Sequence, residues 1–166
     1  MLVLLRVLGL VTLAVIIVFG LWIAFVNLTG REKSMWFGGR PTTLGVTDGR
    51  LTAPRETPNS VVSEGVESTH AAYVAPIAFT GDPRAALAKL GAVLQALDRV
   101  TILKVEETYL YAEFRSKTLG YVDDFEARVD AATNLIHVRS ASRLGRRDMG
   151  VNRARVEMIR AKFAAP

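Results

Sequence analysis

The sequence predicts an α+β protein: an N-terminal transmembrane helix followed by a single antiparallel sheet with helices packed on one face. The first 30 residues carry one charged side chain, Arg6. Between residues 100 and 142, apolar and polar side chains alternate at period two, which is typical of a sheet with one packed face. Two other segments space their apolar residues by three and four, as amphipathic helices do. The expected element order after the anchor is β-α-β-β-β-β-α.

The transmembrane anchor is predicted over residues 1–30, because no charged side chain occurs in the 24 residues from Val7 to Gly30. About 20 apolar residues in a helix span the hydrocarbon core of a bilayer. A cleavable signal peptide is the alternative, but its apolar core is about 7–15 residues long and ends in a small-x-small site. We therefore expect an uncleaved single-pass anchor with residues 7–30 in the lipid bilayer and Trp36 and Phe37 at the headgroup level.

Two arguments about the orientation of the anchor conflict. Arg31, Lys33 and Arg40 follow the span, and the positive-inside rule applied to them places the soluble part in the cytoplasm. A short tail, a hydrophobic span and a long soluble segment are instead the usual layout of a signal anchor with an exported domain. The absence of cysteine does not discriminate, because an exported domain can lack disulfides. We expect the exported side.

Residues 31–71 are predicted to form an extended connector. Gly, Thr, Pro and Ser are frequent there, and Asp48-Gly49, Ala53-Pro54 and Pro58-Asn59 are turn or chain-breaking pairs. Scattered Leu and Val residues indicate that part of the connector lies against the domain. The α+β domain itself is expected at residues 72–166.

The domain is expected to begin with a strand over residues 73–79, at a sheet edge because Pro76 has no N–H to donate. Asp82 and Pro83 predict a helix start, with Asp as the N-cap and Pro in the first turn. One stripe of this helix is expected to pack on the core. The stripe consists of Leu87, Leu90, Leu94 and Leu97.

Four strands are predicted next, over residues 100–105, 108–115, 121–129 and 135–142. Side chains of one parity are mainly apolar and are expected to face the helices. Those of the other parity are mainly polar, and we expect them to form cross-strand ion pairs on an open, solvated sheet face, each worth about 0.2–1 kcal/mol. The charged side chains of this face are Glu113, Arg115, Asp124, Glu126, Arg128, His137 and Arg139.

A final helix is predicted over residues 151–163. Asp148 and Gly150 precede it as candidate caps. Arg153 lies in the first turn, where the helix dipole disfavours a cation, so we expect it to pair with Asp123 or Asp124. The inward side chains of the helix are expected to be Val156, Ile159 and Phe163.

The charged sheet face and the loop after the last strand supply the candidate binding residues. A guanidinium group suits bidentate recognition of carboxylate or phosphate, which makes Arg139 the leading candidate. No catalytic residue is assigned. The candidate binding residues are Arg115, Asp124, Glu126, His137, Arg139, Arg143, Asn152 and Arg153.

Several chemistries are disfavoured by the sequence. Asp123 and Asp124 are adjacent in a strand and point to opposite faces, so they do not form a facing carboxyl pair. Ser140 and Ser142 have the opposite parity to His137, which disfavours a nucleophile–base pair. With two histidines and no cysteine, no metal or other cofactor is expected. Basic residues are interspersed with acidic ones without interleaved aromatics, so no nucleic-acid partner is expected.

Four motifs carry a family resemblance. They are Phe114-Arg115-Ser116, Val122-Asp123-Asp124, the run Ile-His-Val-Arg-Ser-Ala-Ser-Arg at residues 136–143, and Gly150-Val151-Asn152-Arg153. On these motifs, residues 51–163 resemble the family known as domain of unknown function 1499. The resemblance implies a domain of bacterial and plastid-linked proteins without an established activity, and we expect a bacterial inner-membrane location.

Members of that family commonly carry a motif resembling Pro-Cys-Pro followed by Pro-Asn-Cys. This chain has Ala53-Pro54 and Pro58-Asn59-Ser60 in its place. Both thiols are missing, so no disulfide, redox or metal role of theirs carries over. The prolines and Asn59 remain, which implies that the shape of the segment is kept without a crosslink.

Two functions from different classes remain open. In the first, the protein is a membrane-anchored, non-catalytic accessory module that docks a partner protein of a membrane complex through its charged sheet face. In the alternative, it is a small hydrolase-like or lipid-handling domain with a pocket between sheet and helices. Such a pocket would draw Tyr121, Asp123, Ser140 and Ser142 inward around a cavity. Of the two, the non-catalytic module is the expectation.

Overall fold

A computed structural model describes the backbone of residues 2–29 and 38–165, with side chains described for residues 6–25 and 38–165. Helix α1 is Leu2–Thr29. Within it, Arg6–Phe25 has a mean hydropathy of 2.8 and none of its side chains is buried, so the helix is long and apolar enough to cross a membrane. The positions expected at the headgroup level, Trp36 and Phe37, lie outside the described residues.

The domain consists of one antiparallel sheet with two helices. A small two-stranded sheet, β1 with β2, precedes it. The elements are β1 Val46–Thr47, β2 Arg50–Leu51, β3 Ser60–Val62, β4 Ile77–Ala78, α2 Pro83–Gln95, β5 Val100–Val105, β6 Tyr109–Arg115, β7 Val122–Asp130, β8 Leu135–Ser142 and α3 Val151–Ala164.

The main sheet has the strand order β3-β8-β7-β6-β5, and β4 pairs with β8 beside β3. The α+β class and the predicted strands from residue 100 onward are confirmed. The strand predicted over residues 73–79 is shorter than expected: only Ile77–Ala78 form β4, which pairs with β8 at the sheet edge, while Pro76 precedes it and Tyr73 makes an isolated bridge with Val62. One correction concerns the connector. Ser60 pairs with Ala141 and Val62 with Arg139, so β3 is a strand of the main sheet although it lies within residues 31–71.

Both helices pack on the same sheet face, where the predicted leucine stripe of α2 and the inward side chains of α3 meet the apolar parity of β6, β7 and β8. Asp82 caps α2 by accepting a hydrogen bond from the N–H of Ala85 at 2.7 Å. Helix α3 begins after Gly150, whose φ of 82° is a left-handed conformation that glycine adopts without strain. Asp148 accepts hydrogen bonds from the N–H groups of Gly150 and Asn152, at 3.1 and 3.0 Å.

Candidate functional site

Most charged side chains on the sheet face opposite the helices are buried, and Arg115, Arg128 and His137 at its margins are partly buried. Glu126 is 0% exposed and Arg139 is 2% exposed. The expectation of an open, solvated face is therefore wrong. The reason is the covering segment, residues 38–56, which lies over this face: its Leu44 and Leu51 pack against two buried tyrosines of β6. We call the buried set the charged face; it comprises Tyr109, Tyr111, Glu113, Asp124, Glu126, Arg139 and Arg143.

One half of the charged face is centred on Arg143. Its Nη2 lies 2.8 Å from Asp124 Oδ1 and also contacts Glu113. The hydroxyl of Tyr111 lies 2.7 Å from Asp124 Oδ1 and 2.9 Å from Glu113 Oε1. Arg40 of the covering segment donates to the same Glu113 oxygen at 2.8 Å. Two carboxylates thus face two guanidinium groups, which is the pairing that buried charges require.

The other half is centred on Glu126. Arg139 Nη1 donates to its Oε2 at 2.9 Å, and the Tyr109 hydroxyl donates to its Oε1 at 2.8 Å. The backbone N–H of Gly45, in the covering segment, donates to Oε1 at 2.7 Å. The covering segment therefore supplies hydrogen-bond donors to both halves of the charged face.

The covering segment approaches β8 closely at its first described residue. Gly38 has a φ of +79°, and a β-carbon at this position would lie 2.8 Å from Cβ of Arg143. A side chain at position 38 would require both a strained backbone and a displacement of Arg143. Glycine thus permits the close contact between the start of the described covering segment and Arg143.

A groove of about 570 Å³ lies at the margin of the charged face, where the covering segment leaves it open. Arg128 holds Glu64 through an Nη2–Oε2 contact of 2.7 Å. Burial alone would raise the pKa of Glu64, but its hydrogen bonds with Arg128 and the backbone N–H of Leu51 lower it below its ordinary value. His137 lies beside them, with Nδ1 3.8 Å from Glu64 Oε2. The polar residues that line the groove are Asp48, Arg50, Glu64, Glu67, Arg128, Asp130 and His137.

One serine, Ser63, lies near the histidine of the groove, His137. Ser63 Oγ lies 3.4 Å from Nδ1 of His137, and His137 Nε2 lies 4.0 Å from Asp130 Oδ2. Ser63 is 5% exposed, and its hydroxyl oxygen already accepts the N–H of Val138 at 2.8 Å. A nucleophile–base pair needs about 2.6–3.2 Å and an accessible hydroxyl, so this geometry weighs against catalysis.

On the helix side of the sheet, Asn152 joins three segments of the chain. Its Nδ2 donates to the backbone oxygen of Asn59 at 3.1 Å and to Ser142 Oγ at 3.0 Å. Its Oδ1 accepts from the Ser140 hydroxyl at 2.6 Å and also contacts Arg155. Asn59, the residue retained from the family's Pro-Asn-Cys motif, is thereby tied to both β8 and α3.

The prediction that Arg153 pairs with Asp123 or Asp124 is wrong. Asp123 is bound by Arg155 instead, with Nη2 and Oδ2 2.6 Å apart, while Asp124 belongs to the charged face. Arg153 is on the outer side of α3 and donates to the backbone oxygen of Ala71 at 2.7 Å. Position 155, two residues further along the helix, faces the sheet, and its guanidinium also lies 4.6 Å from the centre of the Phe114 ring.

A second groove, of about 460 Å³, lies between the sheet and the start of α3. Asp123 and Arg155 line it together with Phe114 and Met158. The two serines that a catalytic pocket would use here are instead buried and hydrogen-bonded to Asn152. Within the described part of the chain, no group of three or more His, Asp or Glu side chains could hold a metal ion.

The predicted site residues divide into three places. Asp124, Glu126, Arg139 and Arg143 meet on the charged face, with Arg115 4.0 Å from Glu113 at its edge. His137 lies in the marginal groove, and Asn152 and Arg153 belong to α3 on the other side of the sheet. Sequence reasoning missed the contributions of Arg40, Gly45 and Glu64, for which the local sequence holds no signal. For Tyr109 and Tyr111 the sequence does hold a signal: they share the parity of the charged residues, and aromatic rings favour a covered face.

The charged face predicts that the protein loses stability at alkaline pH. Burial and the neighbouring carboxylates raise the pKa of Tyr109 and of Tyr111 above the ordinary value of 10. The folded state then binds more protons than the unfolded state above pH 10, so the free energy of unfolding falls as pH rises, by up to about 1.4 kcal/mol per pH unit for each tyrosine. Denaturant titrations at pH 8 to 11 measure the slope. Tyr111→Phe should reduce it by about half, and an unchanged slope would contradict the assignment.

These features define a class of protein in which an N-terminal helix of membrane-spanning length is joined to an α+β domain. The sheet face opposite the helices of this domain carries a buried network of ion pairs. Residues 50–163 match the family described as protein of unknown function, DUF1499, and the chain belongs to this family. No protein with a curated description matches the chain.

Proposed function

We propose that the protein is a single-pass, membrane-anchored binding module without catalytic activity, which docks a partner protein of a membrane complex. The proposal of a membrane anchor is supported by the unburied apolar surface of Arg6–Phe25. Water disfavours such a surface, and a bilayer accommodates it. In this proposal the anchor lies in a bacterial inner membrane, as the family resemblance implies, and the layout of a short tail, a span and a long soluble segment favours the exported side for the domain.

The pairing within the charged face supports a binding role. The carboxyl groups of Glu113, Asp124 and Glu126 are each held by guanidinium and hydroxyl donors of the same domain. A general acid or base needs a carboxyl group or imidazole that reaches a substrate, whereas these carboxyl groups serve the fold. The marginal groove, beside the charged face, is where other charged side chains remain accessible.

The marginal groove is the docking surface in this proposal. Four carboxylates, those of Asp48, Glu64, Glu67 and Asp130, line it with two guanidinium groups, those of Arg50 and Arg128. The surplus of negative charge stands out on a chain whose net charge is +5. Charge complementarity between partners steers encounter and sets specificity, so the fitting partner is a polypeptide segment that presents basic side chains.

Site-directed crosslinking in native membranes tests this proposal. The chain has no cysteine, so Glu67→Cys introduces a unique attachment point for a photocrosslinker at the groove. Glu157→Cys, an exposed position on α3, is the matched control. We expect Glu67→Cys to yield a discrete crosslinked product and Glu157→Cys to yield none. Equal products from both positions, or none from either, would contradict docking at the groove.

The hydrolase alternative rests on Ser63 and His137, 3.4 Å apart. If the full-length protein hydrolyses an ester substrate, and Ser63→Ala and His137→Ala each abolish that activity without loss of folding, the non-catalytic proposal is wrong. Because the Ser63–His137 contact is long and the Ser63 hydroxyl is buried, we expect these variants and the parent protein not to differ in ester hydrolysis.

A further inference from the structure

Three loops meet at one end of the sheet. The loop after β8, residues 143–150, is joined to the start of β7, next to the β6–β7 turn of residues 116–121, by the N–H of Arg143, which donates to the oxygen of Val122 at 3.2 Å. The turn before β5 is joined to the end of β6 by the N–H of Arg115, which donates to the oxygen of Arg99 at 3.0 Å. We call the exposed part of these loops the strand-end surface.

The strand-end surface exposes large apolar side chains. Met149 is 92% exposed, and its φ of 54° is uncommon for a residue other than glycine. The backbone therefore holds an apolar side chain outward in a conformation that costs free energy. Leu119 and Leu144 in the same loops, and Val151 at the start of α3, are exposed as well. Clustered exposed apolar residues mark sites of contact with proteins or membranes.

The loops of the strand-end surface also carry cations. Arg99, Lys117, Arg146 and Arg147 are exposed in the same loops. Of the two acidic residues among them, Asp98 is exposed, whereas Asp148 is occupied by the N–H groups at the start of α3. Exposed apolar side chains together with Lys and Arg are the combination by which peripheral segments bind anionic bilayers.

The number of residues between α1 and the domain limits how far this surface can lie from the anchor. Gly38 packs against Leu144 of the strand-end surface and against the buried Arg143 next to it, and it is the ninth residue after Thr29, where α1 ends. Nine residues span at most about 30 Å. The opposite end of the sheet, where β5 ends at Val105, lies about 17 Å further along that strand. The tether therefore keeps the strand-end surface within reach of the bilayer that holds α1.

We propose that the strand-end surface binds the anionic headgroups of the membrane in which α1 is anchored. The proposal rests on the anchor proposed above. Met149, Leu119 and Leu144 enter the headgroup region, and the four cations contact lipid phosphates. This contact orients the domain so that the marginal groove faces away from its tether and towards a partner.

Full-length protein in lipid nanodiscs tests the contact. A unique cysteine at Met149→Cys carries an environment-sensitive fluorophore, and Val105→Cys, 62% exposed at the other end of β5, is the matched control. In discs of phosphatidylcholine with phosphatidylglycerol, we expect the label at position 149 to be shielded from an aqueous quencher and the label at position 105 to remain quenchable. In phosphatidylcholine alone, the shielding should fall.

A charge variant measures the cationic contribution. Replacing Lys117, Arg146 and Arg147 with glutamine should lower the equilibrium constant for the docked state roughly fivefold per cation removed. High salt should also lower the equilibrium constant for the docked state, because it screens exposed charges.

Each other outcome overturns the proposal in a distinct way. Equal quenching at positions 149 and 105 in anionic discs refutes the membrane contact but leaves the anchor intact. Equal shielding at position 149 in both lipid compositions refutes recognition of anionic headgroups. Shielding that occurs only in native membranes assigns the surface to a protein partner instead. Failure of the chain to enter discs refutes the anchor together with the contact.

Discussion

Replacing Arg139 with methionine is expected to lower the free energy of unfolding by about 3–5 kcal/mol. The guanidinium lies 2.9 Å from Glu126, and the side chains are 2% and 0% exposed. Removal of one partner leaves the other charge buried and unpaired, which costs far more than the loss of an exposed pair, about 0–1 kcal/mol. Denaturant unfolding of the full-length protein in detergent measures the difference.

The double variant Arg139→Met, Glu126→Gln separates charge from packing. The amide at position 126 keeps an oxygen that can accept from Gly45 and Tyr109, and no uncompensated charge remains. We expect the double variant to recover most of the stability lost in the single one, a non-additive result in the double-mutant cycle. Arg153→Ala is the matched control: its side chain has one hydrogen bond at the exposed surface, so a loss of about 1 kcal/mol is expected.

If Arg139→Met instead leaves stability intact and weakens partner association, Arg139 is a ligand-binding residue and the burial of the charged face is not maintained in solution. That result would restore the interpretation suggested by the sequence, in which the guanidinium recognises an external carboxylate or phosphate.

Replacing Asn152 with alanine is expected to cost about 2–4 kcal/mol, since each hydrogen bond contributes about 0.5–1.5 kcal/mol and buried partners are left unsatisfied. The side chain is 0% exposed and its amide joins β8, α3 and the backbone of Asn59. Thermal or denaturant unfolding measures the effect.

Two variants complete the test of Asn152. Asn152→Asp is also expected to destabilise the fold, because the carboxylate cannot donate to the backbone oxygen of Asn59. Glu157→Ala, exposed on the same helix, should change stability by at most about 0.5 kcal/mol. Asn152 was a binding candidate on sequence grounds. A variant that retains full stability but loses partner association would support that role and contradict the structural one.

The strands and helices could be predicted because their signals are local. Alternation at period two identifies β6, β7 and β8 and assigns each side chain to a face. The capping pair Asp82-Pro83 identifies the start of α2. The same alternation correctly separates Ser140 and Ser142 from His137. These assignments depend only on residues within one element, and the structure agrees with them.

The environment of the charged face could not be predicted in the same way. Parity shows that Glu126 and Arg139 share a face, but not whether water or protein lies over it. The covering segment reaches this face from about 80 positions away in sequence, as in the Gly45–Glu126 contact. The same limit explains Arg153 and Arg155: both are arginines near the start of α3, and the phase of the helix against the sheet decides which one meets Asp123.

The sequence by itself therefore determines the two helices and the strands from residue 100 onward, the apolar core, the N-terminal helix of membrane-spanning length and the family of this protein. Those properties follow from the periodicity and composition of short segments. The tertiary structure alone determines that the charged face is a buried network closed by Arg40 and Gly45. Whether a charged side chain is solvated or paired depends on which distant segment covers it, because burial is a property of the whole fold.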